Sequence, residues 1–203
     1  MLSRKVGESA VGHRSSVKCG QGGMGEMTHP SVQLYEYHVW ANDRTFEHLR
    51  QLPVEVFRKE VQSVFSSIAE TIAHMYVVDN VWLLAMSGVS TEEIMASRKL
   101  LKEQIQDQDL ESMSAMFDAV QERYRAFFEM HDMEDFSLYA HPSLGSMRVR
   151  YCDIVQHVVN HGTYHRGNIT AMLRQQGFSG VPTDYVIYLL QLGPSRQNGG
   201  TEL

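Results

Sequence analysis

Only two cysteines, Cys19 and Cys152, occur in the 203 residues. They stand far apart and suggest no disulfide framework, so a hydrophobic core has to hold the fold and a reducing cytoplasm is the simplest expectation. No apolar run approaches the roughly 20 residues that a membrane span requires, and no secretory h-region is present, so no membrane partner is expected. Positive charge is in deficit: 18 Lys and Arg stand against 24 Asp and Glu, a net charge of −6. Nucleic acid, which needs a basic face, is excluded as a partner on that ground. The five prolines fall outside the periodic stretches. There is no internal repeat and no low-complexity array.

What remains is ordinary globular composition, 43% apolar and 21% charged, in a chain long enough for one well-cored domain and short for two. Residues 1–28 are polar, rich in Gly and Ser and without period, which predicts a disordered N-terminal extension. Met27, just before the ordered pattern, is an alternative to Met1 as the start of translation. The working domain is expected over 29–192, with 193–203 as a flexible tail.

Four long amphipathic helices are legible in that domain. Pro30 suits a first helical turn, and "SVQLYEYHVWANDRTFEHLRQL" runs from it to Pro53, which stops it. Ser67 with Glu70 forms a capping-box pattern ahead of "IAETIAHMYVVDNVWLLAM", which ends at Gly88. Residues 88–108 read as a polar loop, long enough to cross a bundle. A third helix begins at Asp109 with "LESMSAMFDAVQERYRAFFEMH". Pro142 and Gly145 mark a turn within "FSLYAHPSLGSMRVRY", a predicted β-hairpin. Asp153 with Gln156 offers a cap for the fourth helix, which ends at Gly177; "DYVIYLLQL" follows as a short apolar helix or coil. The expectation is an all-α, four-helix bundle with a small hairpin before the fourth helix, a fold whose interior commonly holds metal.

The fourth helix carries the chemistry. His157, His161 and His165 recur every four residues in "CDIVQHVVNHGTYHRGNI". An α-helix advances about 100° and 1.5 Å per residue. With Ile154 at zero, His161 falls near −20° and His165 near +20°, the centre of the apolar face, while His157 falls near −60°, at its edge. All three would span roughly 12 Å of axis, too far for one ion bound at about 2.0–2.1 Å, whereas His161 and His165, about 6 Å apart along the axis, can converge. Burying two neutral imidazoles without partners costs about 1–3 kcal/mol for each unsatisfied group, a cost that a metal removes. The segment lacks the Glu of H-E-x-x-H, so metalloprotease chemistry has no general base. A third ligand should come from a facing helix. His74 and His38 both qualify, and periodicity does not choose between them.

"HVVNHGTYHRGNI" resembles the signature helix of the DinB family (DinB/YfiT-like metalloenzymes). "YEYHVWANDRTFEHL" resembles that family's opening helix, and "IAETIAHMYVVDNVWL" its second, with one histidine early and an acidic residue five positions later. The likeness spans about residues 31–176. It implies an up-down-down-up bundle with a divalent metal on three histidines, by position His74, His161 and His165. Zinc or nickel is the expected ion, with manganese or iron as alternatives, and a homodimer the expected assembly.

Some proteins resembling this family transfer low-molecular-weight thiols, such as bacillithiol or glutathione, to electrophiles. Metal-dependent thiol transfer to a small-molecule substrate, or a related detoxifying reaction such as hydrolysis, is therefore the leading expectation. A non-catalytic, dimeric metal-binding or stress-response bundle is the alternative. Asp79 is a candidate to orient a ligand histidine or a metal-bound water. Asn160 and Arg166 point off the core centre and suit packing between helices or subunits. Tyr37, Trp40 and Trp82 suit an aromatic core better than a substrate pocket. Cys152, beside a helix N-terminus, has a position that lowers a thiol pKa but no neighbouring base.

Overall fold

Helix α1 (Pro30–Arg50) starts where the sequence places it, with proline in the first turn and the His29 ring accepting the Ser31 N–H. The structure is a computed structural model and describes residues 28–141 and 145–193. The single turn α2 (Glu55–Arg58) leads to α3 (Ile68–Met86). Ser67 Oγ caps α3 by accepting the Glu70 N–H at 3.2 Å, while the Glu70 carboxylate accepts from Ser66 rather than closing the box on Ser67. Gly88, at φ +74°, ends it in a conformation that favours glycine.

The polar stretch after Gly88 is a helix, α4 (Thr91–Ile105), and not the expected loop. Ser90 and Glu93 form a reciprocal capping box, and only Ile94 and Ile105 are buried. So sparse an apolar stripe hides the helical period in a run of charged residues. Helix α5 (Leu110–Met130) is capped by Asp109, which accepts the Ser112 N–H at 2.8 Å.

Strands β1 (Phe136–His141) and β2 (Gly145–Arg150) pair antiparallel, Phe136 opposite Arg150. The expected turn at Pro142 lies outside the described residues, as do the N-terminal extension up to residue 27 and the tail from 194. Ser137 donates to the Ala85 carbonyl at 2.6 Å and ties the hairpin to the end of α3.

Helix α6 (Tyr151–Gln175) begins directly from β2, with Arg150 as its N-cap, so the expected cap by Asp153 and Gln156 is corrected. The reason is local. The N–H groups of Tyr151 and Cys152 donate to the carbonyls of Asp135 and Met133, so backbone satisfies the first turn. Asp153 instead grips Arg150, Nε to Oδ2 at 2.9 Å. Gly177 terminates α6, and α7 (Tyr185–Gln191) follows.

Helices α1, α6, α3 and α5 pack as a ring in that order. Contacts fix their directions. His38 and Asn42 of α1 meet Gly162 and Arg166 of α6, so these two run parallel. Thr71 and Trp82 of α3 meet Met172 and His157 of α6, so α3 runs antiparallel to it. Tyr76 and Asn80 of α3 meet Phe117 and Arg123 of α5, a parallel pair. The bundle is therefore up-down-down-up, with α4 connecting α3 to α5 in the chain and packing on α3. Its core runs through Tyr35, Tyr124, Ile154, Val158 and Met172, each buried. No helix among the described residues is long and apolar enough to cross a membrane.

Candidate metal centre

Antiparallel packing of α3 on α6 brings His74 against His161 and His165. His74 Nε2 and His165 Nε2 each lie 3.0 Å from His161 Nε2. One ligand atom from each of the three falls within 4.8 Å of the others, so the group can hold a metal ion. Among the described residues no fourth His, Cys, Asp or Glu joins it. His165 is buried and the other two are partly buried. His157 stays outside, exposed, its ring 6.2 Å from that of His161 and edge-on to Trp82 at 4.8 Å. The α6 spacing thus divides as helix geometry requires, two inward and one at the margin.

Burial holds the three rings neutral. Desolvation, then the neighbouring His165 and His74, depress His161 to about 3. Desolvation and then His74 bring His165 to about 4. His74 is lowered by burial first and by the positive charge of Arg98 on α4 second. Neutral imidazoles keep the lone pairs that a metal needs.

Aromatic rings surround the cluster. Phe65 lies 4.8 Å from His74 and 5.6 Å from His165, and Tyr164 lies 5.0 Å from His165. Trp82 links His157 to Tyr139 of the hairpin, 5.0 Å away. Of the three aromatics considered from sequence, Trp82 packs on His157, outside the cluster. Tyr37 donates to the Thr183 carbonyl and Trp40 to Gln191, and both dock α7 onto α1. Phe65, Tyr164, Tyr139 and Arg98 carry no sequence signal, because a lone aromatic or arginine has no spacing to betray it.

His38, the competitor for third ligand, belongs to a separate buried network. Its Nε2 lies 3.0 Å from Asp79 Oδ2, and Arg166 Nη1 lies 3.4 Å from its Nδ1. Arg166 also donates to Asn42 Oδ1 at 2.9 Å, and Tyr124 donates to the Asp79 carbonyl at 2.8 Å. Asp79 Oδ2 therefore meets His38 rather than a ring of the cluster, while its Oδ1 is buried without a partner among the described residues. Arg166 packs between helices, as its wheel angle implied, while Asn160 is exposed. At Cys152 burial pushes the thiol up; Arg150 opposes the shift, and the Asp153 and Glu134 charges add to it, so the helix N-terminus does not make it a reactive thiol.

A model of the DinB family matches residues 24–197. The chain belongs to the DinB family. It is 43% identical over 160 residues to Protein DinB of Bacillus subtilis (strain 168), covering 78% of this chain and 93% of that one. A crystal structure of an uncharacterized protein from Clostridium difficile 630 aligns with a TM-score of 0.51 at 11% identity. That alignment covers 68% of this DinB-family chain and 92% of the other, and it shows the shared fold.

Proposed function

We propose that this DinB-family protein holds one divalent metal ion on His74, His161 and His165 and uses it to transfer a low-molecular-weight thiol to an electrophile. The observation that carries the metal reading is the convergence of three Nε2 atoms at 3.0 Å contacts. Without a cation these rings do not satisfy one another. His161 Nε2 has either one proton or one lone pair, yet it faces two nitrogens, and its Nδ1 is buried without a partner. A cation that accepts three lone pairs removes the conflict. Imidazole ligands suit zinc or nickel, with iron or manganese as weaker fits.

Three protein ligands mark an open rather than a closed site. When bound, a divalent ion there lowers the pKa of a thiol or water at its remaining position. The side chains of the chain supply the rest. Phe65 packs on the rings of His74 and His165 and Tyr164 on that of His165, while Trp82 and Tyr139 lie beside His157, one helical turn before His161. In the overall transfer the thiol proton leaves to solvent, a sulfur–carbon bond forms and the leaving group departs with its electron pair.

The test is turnover of glutathione or bacillithiol with 1-chloro-2,4-dinitrobenzene by zinc- or nickel-reconstituted protein. Transfer that chelation and His161→Ala/His165→Ala both abolish supports the reading. Full metal loading with no transfer to a panel of electrophiles rejects the enzyme and leaves a metal-binding bundle.

A further inference from the structure

We infer that His38 is a positioning residue for the three-histidine centre: bridging Asp79 and Arg166, it locks α3 and α6 in the register that brings His74 to His161 and His165. The inference rests on the metal reading above. His38 comes from α1, which supplies no ligand, yet it touches both ligand-bearing helices. Its Nε2 reaches Asp79 Oδ2 on α3, five positions beyond His74, at 3.0 Å. Its Nδ1 faces Arg166 of α6, the residue next to His165, at 3.4 Å. The tautomer that serves both has Nε2–H donating to Asp79 and the Nδ1 lone pair accepting from Arg166. Asn42 joins the group through Oδ1, which accepts from Arg166 at 2.9 Å; its Nδ2, 3.0 Å from His38 Nε2, faces a donor in this tautomer and makes no hydrogen bond to it.

The contact with α6 is also steric. A Cβ on Gly162, the residue after His161, would stand 2.3 Å from His38 Cε1 and 2.5 Å from Nδ1. The ring thus fills the notch that glycine leaves in the helix, between the two ligand positions. Two of the three ligands have as sequence neighbours a residue that His38 touches.

The chemistry of the network argues for register rather than bulk stability. His38, Asp79, Asn42 and Arg166 are all at most 3% exposed. A buried ionic group of this kind is often no more stable than apolar side chains of equal volume. Apolar packing, however, tolerates sliding, and a hydrogen-bonded chain across three helices does not. Metal–nitrogen bonds of about 2.0–2.1 Å leave little room for a shift of α3 against α6.

The test is titration of cobalt(II), as the spectroscopic probe, into the metal-stripped full chain and its His38→Leu and His38→Gln variants. Helical circular dichroism checks the fold. His38→Leu should bind cobalt roughly 10- to 100-fold more weakly, the range typical when support behind a ligand is lost, with visible bands shifted. His38→Gln, which keeps a donor and an acceptor, should recover much of the affinity and the native bands. A folded His38→Leu with native affinity and bands overturns the inference while leaving the metal reading intact. No cobalt binding by the natural protein overturns both. Should His38→Leu fail to fold, Asp79→Asn decides: about tenfold weaker binding with shifted bands supports the lock, and native behaviour overturns it.

Discussion

His74 Nε2 and His161 Nε2 stand 3.0 Å apart across the α3–α6 interface, although 87 positions separate them in the chain. Two neutral rings this close, with His165 at the same distance from His161, form a donor set before any ligand arrives. That preorganisation sets the first expectation. An ion that binds the folded chain and not the unfolded one stabilises it by about 2.7 kcal/mol at a hundredfold excess over Kd. For a domain of this size that is a rise in Tm of about 5–10 °C. Thermal melts of metal-loaded and chelator-stripped protein check it; superimposable melts contradict it.

Proton uptake sets the second. In the stripped protein His161 and His165 are depressed to about 3 and about 4, below the value of about 6.5 that an unfolded histidine has. Between those limits the unfolded chain binds protons that the folded chain refuses, so stability present above pH ~6.5 is lost as pH falls toward 4 and below. Urea midpoints of the stripped protein should therefore drop from pH 7.5 to pH 4.5. The drop should be smaller in His161→Ala/His165→Ala. Equal slopes in the two proteins would remove the histidines as the cause.

Two glycines of α6 should respond with opposite sign. A Cβ at Gly162 meets the buried His38 ring at 2.3 Å, whereas one at Gly167 meets nothing within 4 Å. Alanine gains roughly 1 kcal/mol of helix propensity at either position. At Gly162 an overpacking cost of roughly 1–3 kcal/mol outweighs it. Chemical denaturation should show Gly162→Ala less stable than the natural protein and Gly167→Ala as stable or more so. The same sign at both would mean that His38 moves aside freely.

Helix α4 should depend on its cap. Ser90 Oγ accepts the Glu93 N–H at 3.3 Å, and Glu93 accepts the Ser90 N–H in return at 3.2 Å. Two of its 15 residues, Ile94 and Ile105, are buried, so the cap adds to a sparse apolar stripe. Ser90→Ala should cost about 1 kcal/mol and raise amide hydrogen exchange in the first turn of α4. Unchanged exchange there would show that packing on α3 alone suffices.

How far these features could be read without coordinates differs from one to the next, for physical reasons. The bundle helices α1, α3, α5 and α6 have dense apolar faces and marked ends, so their existence and the class of fold were legible. Helix α4 carries the same kind of end signal in Ser90 and Glu93, but its few buried side chains leave no visible period. His161 and His165 were legible because two imidazoles occupy the centre of an apolar stripe. The direction in which His74 points was not, since α3 is apolar on most sides; only the family resemblance separated it from His38. Asp79 shows the limit most clearly. An acidic residue one turn and a half past a ligand suggests support for that ligand, yet its partner comes from α1, and no local pattern encodes a contact across the bundle.

On this reading His74, His161 and His165 together hold one divalent ion per chain. Elemental analysis of untagged protein, purified beside His161→Ala/His165→Ala, tests it most directly. About one zinc, nickel or related ion per chain, absent from the double variant, is the predicted result. No stoichiometric metal in the natural protein, or the same content in both, would contradict it.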